Sequence, residues 1–154
     1  MRREKLKVVV PAAGQAGAAG FVLDEQIGFL MRVATQRHTS IFTQRMIEGL
    51  TQPQFAAMAK LHEVGPCSQN HLGRLIFLDA ATIKGVVDRL GARGFVTALA
   101  DPTDRRRRAV ALTERGREVT TAAIAIAAEI TAETLAPVTA DERETVATLL
   151  KKLS

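Results

Sequence analysis

Residues 101–108 read DPTDRRRR and lie between two short apolar runs, 95–100 and 109–112. The Asp-Pro-Thr-Asp segment favours a tight turn, because proline presets φ and Asp side chains bond nearby backbone amides. The flanking runs have the length of strands, so the stretch predicts a β-hairpin with four arginines at or near its tip. Arginine keeps its charge and presents a planar fork of donors, and adjacent arginines repel one another unless an anion screens them. The hairpin predicts a polyanion as its partner.

The net charge of +5 is concentrated in two segments. Residues 74–117 carry ten Lys or Arg against five Asp or Glu, and residues 1–20 carry four against one. The rest of the chain has seven basic and ten acidic residues. A local excess of positive charge favours a docking face for a polyanion. The chain has no Trp and no Tyr, which disfavours a platform that stacks single-stranded bases.

Length and composition exclude several classes of protein. A chain of 154 residues indicates a single domain with a real core. No apolar run is long enough to cross a bilayer and no signal peptide is recognisable, so we expect a cytoplasmic protein without membrane contact. Cys67 is the only cysteine, which excludes an internal disulfide. We find no nucleophile–base pair, phosphate-binding glycine loop or metal-ligand spacing, and so expect neither an enzyme nor a metal or cofactor.

Helical periodicity and capping signals predict six helices. The first covers about residues 24–49. The other five begin after residues that can cap a helix N-terminus, namely Thr51, Ser68, Asp79, Thr113 and Thr139. In the fourth helix, apolar residues at positions 83, 86, 87 and 90 predict one buried stripe.

Two short helices, a turn and a hairpin make a winged helix-turn-helix, in a fold that is mainly α with a small β-hairpin wing. We expect residues 21–154 to form one domain, with a DNA-binding lobe at about 51–113. The helices at about 24–49 and 114–154 carry stripes rich in Ala, Ile and Val, and we predict that they form a dimerisation layer. Residues 1–20 read as a mobile basic arm.

Several segments around the hairpin resemble the MarR family of bacterial transcriptional regulators. They are TQPQF at 51–55, DRL at 88–90, RGFV at 93–96, DPTDRR at 101–106 and LTERG at 112–116. The resemblance covers roughly residues 24–154. It implies a homodimer that binds a pseudo-palindromic operator in double-stranded DNA, usually as a repressor relieved by a small-molecule effector or by oxidation. Ala98 departs from the family pattern, in which that position is often arginine.

The start of the fourth helix is the predicted base-reading element, since a recognition helix enters the major groove near its N-terminal end. Ala80 and Ala81 offer apolar contact, Thr82 a hydroxyl, and Lys84 a cation for a guanine edge or a phosphate. The alternatives are a Thr82 hydroxyl that serves its own backbone and a solvated Lys84. Gly85 either permits close approach to DNA or allows a tight contact with another helix.

Two further groups are predicted to contact DNA. Ser68, Gln69 and Asn70 stand at the start of the third helix and are expected to bind phosphates, although Ser68 also fits a simple cap. The resemblance implies that Asp104 and Arg106 shape the wing, partly through an ion pair. The arginines of the run are predicted to enter a narrow minor groove or to follow the phosphates, with Arg106 counted among them. They are Arg105, Arg106, Arg107 and Arg108.

The resemblance also implies an effector site where the dimerisation helices meet the DNA-binding lobe. Its predicted lining is Met31, Arg37, His38, Phe42, Arg45, Phe55, Met58 and His62. Aromatic carboxylates, phenolics and coenzyme A thioesters are the ligand classes expected. The Met and Phe positions fit a hydrophobic core as well as a pocket wall.

Two other readings of the function stay open. Cys67 precedes the cap Ser68, and a helix N-terminus can lower the pKa of a thiol, which would suit a repressor that senses oxidation. A DNA-architectural protein without sequence preference would use the same basic charge.

Overall fold

The computed structural model describes residues 20–100, 104 and 108–154. These residues form six α-helices and one antiparallel pair of strands, preceded and interrupted by short 3₁₀ helices at Leu23–Glu25 and Ile47–Gly49. The elements are α1 (Ile27–Arg45), α2 (Gln52–Val64), α3 (Gln69–Leu75), α4 (Ala80–Ala92), β1 (Val96–Ala100), β2 (Arg108–Leu112), α5 (Glu114–Thr134) and α6 (Ala140–Leu153). The predicted fold class is confirmed. The predicted N-terminal arm lies outside the described residues except for Gly20.

All five predicted caps are present. Thr51 and Thr139 form capping boxes, in which the Thr hydroxyl accepts from the backbone of Gln54 or Glu142 and the longer side chain accepts in return. The other three predicted caps are single side-chain caps, namely Ser68 for α3, Asp79 for α4 and Thr113 for α5. Local hydrogen bonding therefore sets where these helices begin.

The first helix is shorter than predicted. It begins at Ile27 and ends at Arg45 instead of covering residues 24–49. Glu48 and Gly49 have φ of 55° and 58°, a left-handed conformation in which a right-handed helix cannot continue. The chain turns there and enters α2 at Thr51.

Residues 36–154 form one compact unit, and residues 20–35 are described by themselves. The predicted stripe of α4 is inside this unit, where Ile83, Val86 and Leu90 are buried and Val87 is partly buried. The core is completed by Met58 of α2, Leu72 of α3, Ile130 of α5 and Phe95, which immediately precedes β1. One core thus joins the helix-turn-helix to α5.

The hairpin matches the predicted wing in its strands. Val96 pairs with Leu112 and Ala100 with Arg108. Outside the hairpin, Cys67 forms an antiparallel bridge with Val110, through hydrogen bonds of 3.2 and 2.8 Å between their backbone groups. The residue before the cap of α3 is thereby fixed to the wing.

Helix α5 is pressed against the start of the hairpin at Gly116. A Cβ at this position would lie 1.9 Å from the Phe95 carbonyl oxygen, so only glycine fits. The Thr113 hydroxyl that caps α5 also donates to the Gly94 carbonyl, at 2.7 Å.

Several apolar side chains of the predicted dimerisation helices are exposed. On α6 these are Leu149, Leu150 and Leu153. Within residues 20–35 they are Phe21, Val22, Leu23, Ile27, Leu30, Met31 and Val33. The dimerisation layer stays a prediction, and Phe21, Val22 and Leu23 precede the helix predicted to belong to it.

Candidate nucleic-acid interface

The first turn of α4 presents the predicted base-reading residues. Ala80, Ala81 and Thr82 are exposed, while the buried stripe on the opposite side of the helix packs into the core. The Asp79 carboxylate accepts from the Thr82 backbone N–H and from its hydroxyl, both at 2.8 Å. These hydrogen bonds, first the one from the backbone, hold the pKa of Asp79 below its ordinary value. Because its proton is directed to Asp79, the hydroxyl of the exposed Thr82 can offer a ligand only an acceptor.

The middle of α4 bears on the alternatives for Lys84 and Gly85. The Lys84 side chain is exposed, and its ammonium lies 2.6 Å from the Asp88 carboxylate one turn further on, so its contact with DNA stays a prediction. At Gly85 the three heavy atoms nearest to a Cβ built there all belong to Arg89 of the same helix, so the tight contact with another helix finds no support. Gly85 therefore lies on the outer surface of α4.

An open polar groove of about 640 Å³ lies between the start of α3 and the wing. It is lined by Ser68, Gln69, Asn70, Arg74 and Arg108. The Cys67–Val110 bridge explains this proximity, since it holds the residue before the cap of α3 against β2, two residues from Arg108. Two guanidinium groups beside amide and hydroxyl groups can bind phosphate oxygens.

The groove contains one residue that the sequence analysis missed. Arg74 lies in the last turn of α3 and is exposed. Its signal in the sequence is the excess of basic residues that begins at this position. Ser68 does serve as the cap of α3, accepting from the His71 N–H at 3.2 Å.

The tip of the wing lies largely outside the described residues. Arg105, Arg106 and Arg107 fall there, so their DNA contacts and the Asp104–Arg106 pair stay predictions. Arg108 is described: it is exposed, begins β2 and points its charge to the groove beside α3.

The surroundings of Cys67 do not favour the oxidation-sensing alternative, which stays untested. The side chain is partly buried, and this burial raises the pKa of the thiol above its ordinary value. Because the thiolate is the reactive form, a raised pKa disfavours oxidation at neutral pH.

The effector site stays a prediction, and its residues have different surroundings. Met58 is fully buried in the core, so the core interpretation holds for it. Phe42 and Phe55 pack together with ring centroids 6.1 Å apart. His62 is exposed near a separate depression at the end of α2, and Met31 belongs to residues 20–35.

Three of these residues connect α1 to the end of α5. The Arg37 guanidinium donates to the backbone carbonyls of Glu133 and Thr134, at 3.0 and 3.4 Å. His38 Nδ1 lies 3.0 Å from the Thr134 hydroxyl. Arg45 pairs with Glu129 and, at 2.9 Å, with Glu133. The hydrogen bond with Glu129 is the main cause that raises the pKa of Arg45.

A cavity of about 380 Å³ lies between the end of α1 and the start of α2. It is lined by Thr39, Phe42, Thr43, Met46, Gly49, Leu50, Thr51, Gln52 and Pro53. Its volume is within the range of small-molecule sites. Phe42 is the one predicted effector residue in this lining, which contains no charged side chain.

Two other features bear on the kind of protein. In residues 20–100, 104 and 108–154, no three His, Cys, Asp or Glu side chains come together as metal ligands would. None of the described helices combines the length and apolar character needed to cross a bilayer.

A capped helix-turn-helix, a β-hairpin beside it and a cationic groove between them define a winged-helix DNA-binding protein. A sequence profile of the MarR family matches residues 50–107. The HTH-type transcriptional repressor NicR of Pseudomonas putida is 38% identical over 148 residues, covering 96% of this chain and 94% of that protein. This chain belongs to the MarR family of DNA-binding transcriptional regulators, which are not enzymes.

Solved structures agree with this assignment. A probable transcriptional regulator from Pseudomonas aeruginosa is 49% identical, with a TM-score of 0.83, and the match covers 86% of this chain and 100% of that one. BpsR of Bordetella bronchiseptica is 36% identical with a TM-score of 0.81, covering 86% of this chain and 96% of that one. The BpsR structure concerns regulation of its DNA binding by 6-hydroxynicotinic acid.

Proposed function

We propose that this chain is a homodimeric repressor that binds a pseudo-palindromic operator and is released by a small aromatic acid or a related phenol or coenzyme A thioester. The observation that carries the proposal is the exposed first turn of α4 in the same unit as the cationic groove of α3 and β2. The first can read bases, and the second can bind the adjacent phosphates. The repressor role is supported by the name of the relative NicR.

Dimerisation is supported by the exposed leucines of α6. Leu149, Leu150 and Leu153 repeat on one face of the helix and are more than half exposed, at 52%, 53% and 69%. A soluble monomer rarely leaves such a stripe uncovered. A symmetric dimer presents two copies of α4, and their separation of about 34 Å, one turn of duplex, sets the spacing of the two half-sites.

The effector anchor that we favour is Arg37. Its hydrogen bonds go to backbone carbonyls, which leave the positive charge of the guanidinium uncompensated. Arg45 instead pairs with two glutamates. A carboxylate ligand would compete with the carbonyls at the end of α5 for the donors of Arg37. The packed rings of Phe42 in α1 and Phe55 in α2 offer an aromatic surface for the rest of the ligand.

Release of DNA would then follow from a change in how α1 meets α5. Arg37 and His38 both bond to the last turn of α5, and a ligand that takes these donors favours another arrangement of the two helices. The ligand shifts the population of dimers only as far as it prefers that arrangement. An altered separation of the two α4 helices no longer matches the operator. The regulation of BpsR by 6-hydroxynicotinic acid supports a ligand of this class.

The DNA part of the proposal is tested by footprinting the purified protein on the promoter region beside its own gene. We expect protection of one short pseudo-palindrome. Continuous protection without a preferred sequence would overturn the proposal in favour of the architectural alternative. Salt dependence alone is not informative, because both functions predict it.

The effector part is tested by adding 6-hydroxynicotinic acid and simple benzoic acids to the protein–DNA complex and to thermal melts. We expect at least one acid to raise the melting temperature and to release DNA. Arg37→Ala should lose this response while it still binds the operator, and Arg45→Ala, with the same loss of charge, should keep it. If the acid released DNA from Arg37→Ala at the same concentration as from the wild type, Arg37 would not belong to the effector site.

A further inference from the structure

The guanidinium of Arg89 lies over Gly85 in the middle of α4. The position that a Gly85 Cβ would occupy is 3.4 Å from Nη1, 3.5 Å from Nη2 and 3.7 Å from Cζ of Arg89. These are the three nearest heavy atoms outside the helix's own nearby backbone, and all of them belong to one guanidinium. The space left by the missing side chain is occupied by the end of an arginine.

Helix geometry places this guanidinium on the outer face of α4. Residues four apart share one face of a helix, and their side chains lean toward the helix N-terminus. The buried residues Ile83, Val86 and Leu90 occupy the opposite side. Toward the N-terminus, the outer face continues at Ala81, which is small and exposed. Arg89 therefore carries its charge along α4 toward the first turn, over a helix surface of small residues.

Arg89 also differs from the other cations near α4 in its partners. The ammonium of Lys84 is paired with Asp88, and Arg93 is bonded to Glu48. In the part of the chain that the structure describes, Arg89 has no salt bridge and its guanidinium donates no hydrogen bond. Its five N–H donors are available to a ligand, whereas the Thr82 hydroxyl oxygen is available only as an acceptor.

We infer that Arg89 reads a guanine in each operator half-site and that Gly85 makes room for this guanidinium between the helix and the DNA. In the major groove guanine presents O6 and N7, two acceptors that a guanidinium binds with two parallel hydrogen bonds. A side chain at position 85 would push the guanidinium outward and separate the helix from the bases. The inference rests on the proposed function, since it needs a protein that selects a DNA sequence.

The test is selection of binding sites from a pool of random-sequence duplexes by the wild-type dimer and by Arg89→Ala. The wild-type motif should contain one guanine in each half-site that the Arg89→Ala motif no longer specifies, with the other positions unchanged. On the wild-type site, replacing that guanine should weaken wild-type binding about 5- to 150-fold, the range of a bidentate contact, and should leave Arg89→Ala almost unaffected. Lys152→Ala, which removes one positive charge from α6, should select the wild-type motif.

A second variant separates reading from folding. Gly85→Leu adds a good helix former at a position that is only partly buried, so its melting temperature should rise. The same variant should lose the guanine preference, because its side chain occupies the place of the guanidinium. A glycine that served only the stability of the fold would not combine a higher melting temperature with a loss of the guanine preference on substitution.

Other outcomes would overturn the inference. An Arg89→Ala motif with the same guanines would show that another residue reads them. Uniform weakening on all sequences with an unchanged motif would assign Arg89 to a phosphate. A wild-type protein that selects no motif would refute the proposed function itself, and the role of Arg89 with it.

Discussion

The Arg93 guanidinium donates a hydrogen bond to the backbone carbonyl of Glu48 and lies 3.5 Å from the carboxylate of the same residue. It also covers the ring of Phe95, 4.6 Å from the ring centroid. Glu48 is in the left-handed turn that ends the first 3₁₀ segment after α1, and Arg93 follows the last turn of α4. One side chain thus connects the α1–α2 turn to the recognition helix and to the core.

This relationship predicts different effects for its two members. Arg93→Ala removes a bond to a carbonyl and a cation–π contact, and should lower the free energy of unfolding by about 1–2 kcal/mol. Glu48→Gln keeps the carbonyl acceptor and loses only a partly exposed ion pair, so its cost should stay below about 1 kcal/mol. Urea unfolding of both variants measures the difference. Equal losses would mean that the carboxylate, and not the carbonyl, is the important partner.

A pair of glycines offers the sharpest test of packing. Gly116→Ala would place a Cβ 1.9 Å from the Phe95 carbonyl oxygen and must displace backbone, so we expect a loss of about 3 kcal/mol or an unfolded protein. Gly91→Ala, in the last part of α4, meets no atom within 4 Å and should stabilise by up to about 1 kcal/mol. Thermal melts of the two variants suffice. A Gly116→Ala protein as stable as the wild type would contradict the contact between α5 and β1.

The cap of α4 predicts a dependence of stability on pH. Hydrogen bonds from Thr82 hold the folded pKa of Asp79 below the ordinary value of about 3.9, so the ionised carboxylate stabilises the fold above that value. This contribution is lost as the pH falls through the folded pKa. Asp79→Asn keeps a capping oxygen without the charge. Its deficit in melting temperature should be largest at neutral pH and should shrink below about pH 4; a deficit constant with pH would refute the assignment.

The exposed stripe of α6 predicts where the dimer is held. Leu150→Glu puts a charge among Leu149, Leu150 and Leu153, and should convert dimer to monomer in sedimentation experiments. Operator affinity should fall with it, because a monomer holds only one half-site. Thr148→Glu adds the same charge on the other side of the helix and should leave the dimer intact. A Leu150→Glu dimer of wild-type stability would place the interface elsewhere.

The raised pKa of Cys67 predicts a protein that does not respond to oxidation. Peroxide at neutral pH should leave operator binding unchanged, in the wild type as in Cys67→Ala. The variant should fold normally, since the Cys67–Val110 bridge uses backbone groups only. Loss of DNA by the oxidised wild type, with Cys67→Ala unaffected, would restore the oxidation-sensing alternative.

The sequence predicted those parts of the fold that depend on neighbours along the chain. Five caps, the strands of the wing and the stripe of α4 each follow from interactions within a few residues. The end of α1 was placed too late, because a left-handed Glu48 is not signalled by its side chain.

The candidate sites were predicted less completely, because they depend on contacts between distant parts of the chain. Arg37 was expected to face a ligand, but its donors reach carbonyls almost a hundred residues away, at Glu133 and Thr134. Arg74 was missed because the groove that it lines exists only once Cys67 pairs with Val110. Arg89 had a local signal in the sequence, namely a glycine four residues before an arginine in one helix. Only the structure shows that the guanidinium of Arg89 lies over Gly85.

The bridge between Cys67 and Val110 has a mechanical consequence for regulation. It adds a backbone rung between the wing and the segment that leads into α3, so the strand that carries Arg108 cannot slide or tilt without carrying the start of α3 with it. In the regulation proposed above, α3 and the wing would therefore leave the duplex as one rigid unit. An effector that turned this unit by a few degrees would break the phosphate contacts of α3 and of the wing together, and the DNA-binding surface would not have to unfold.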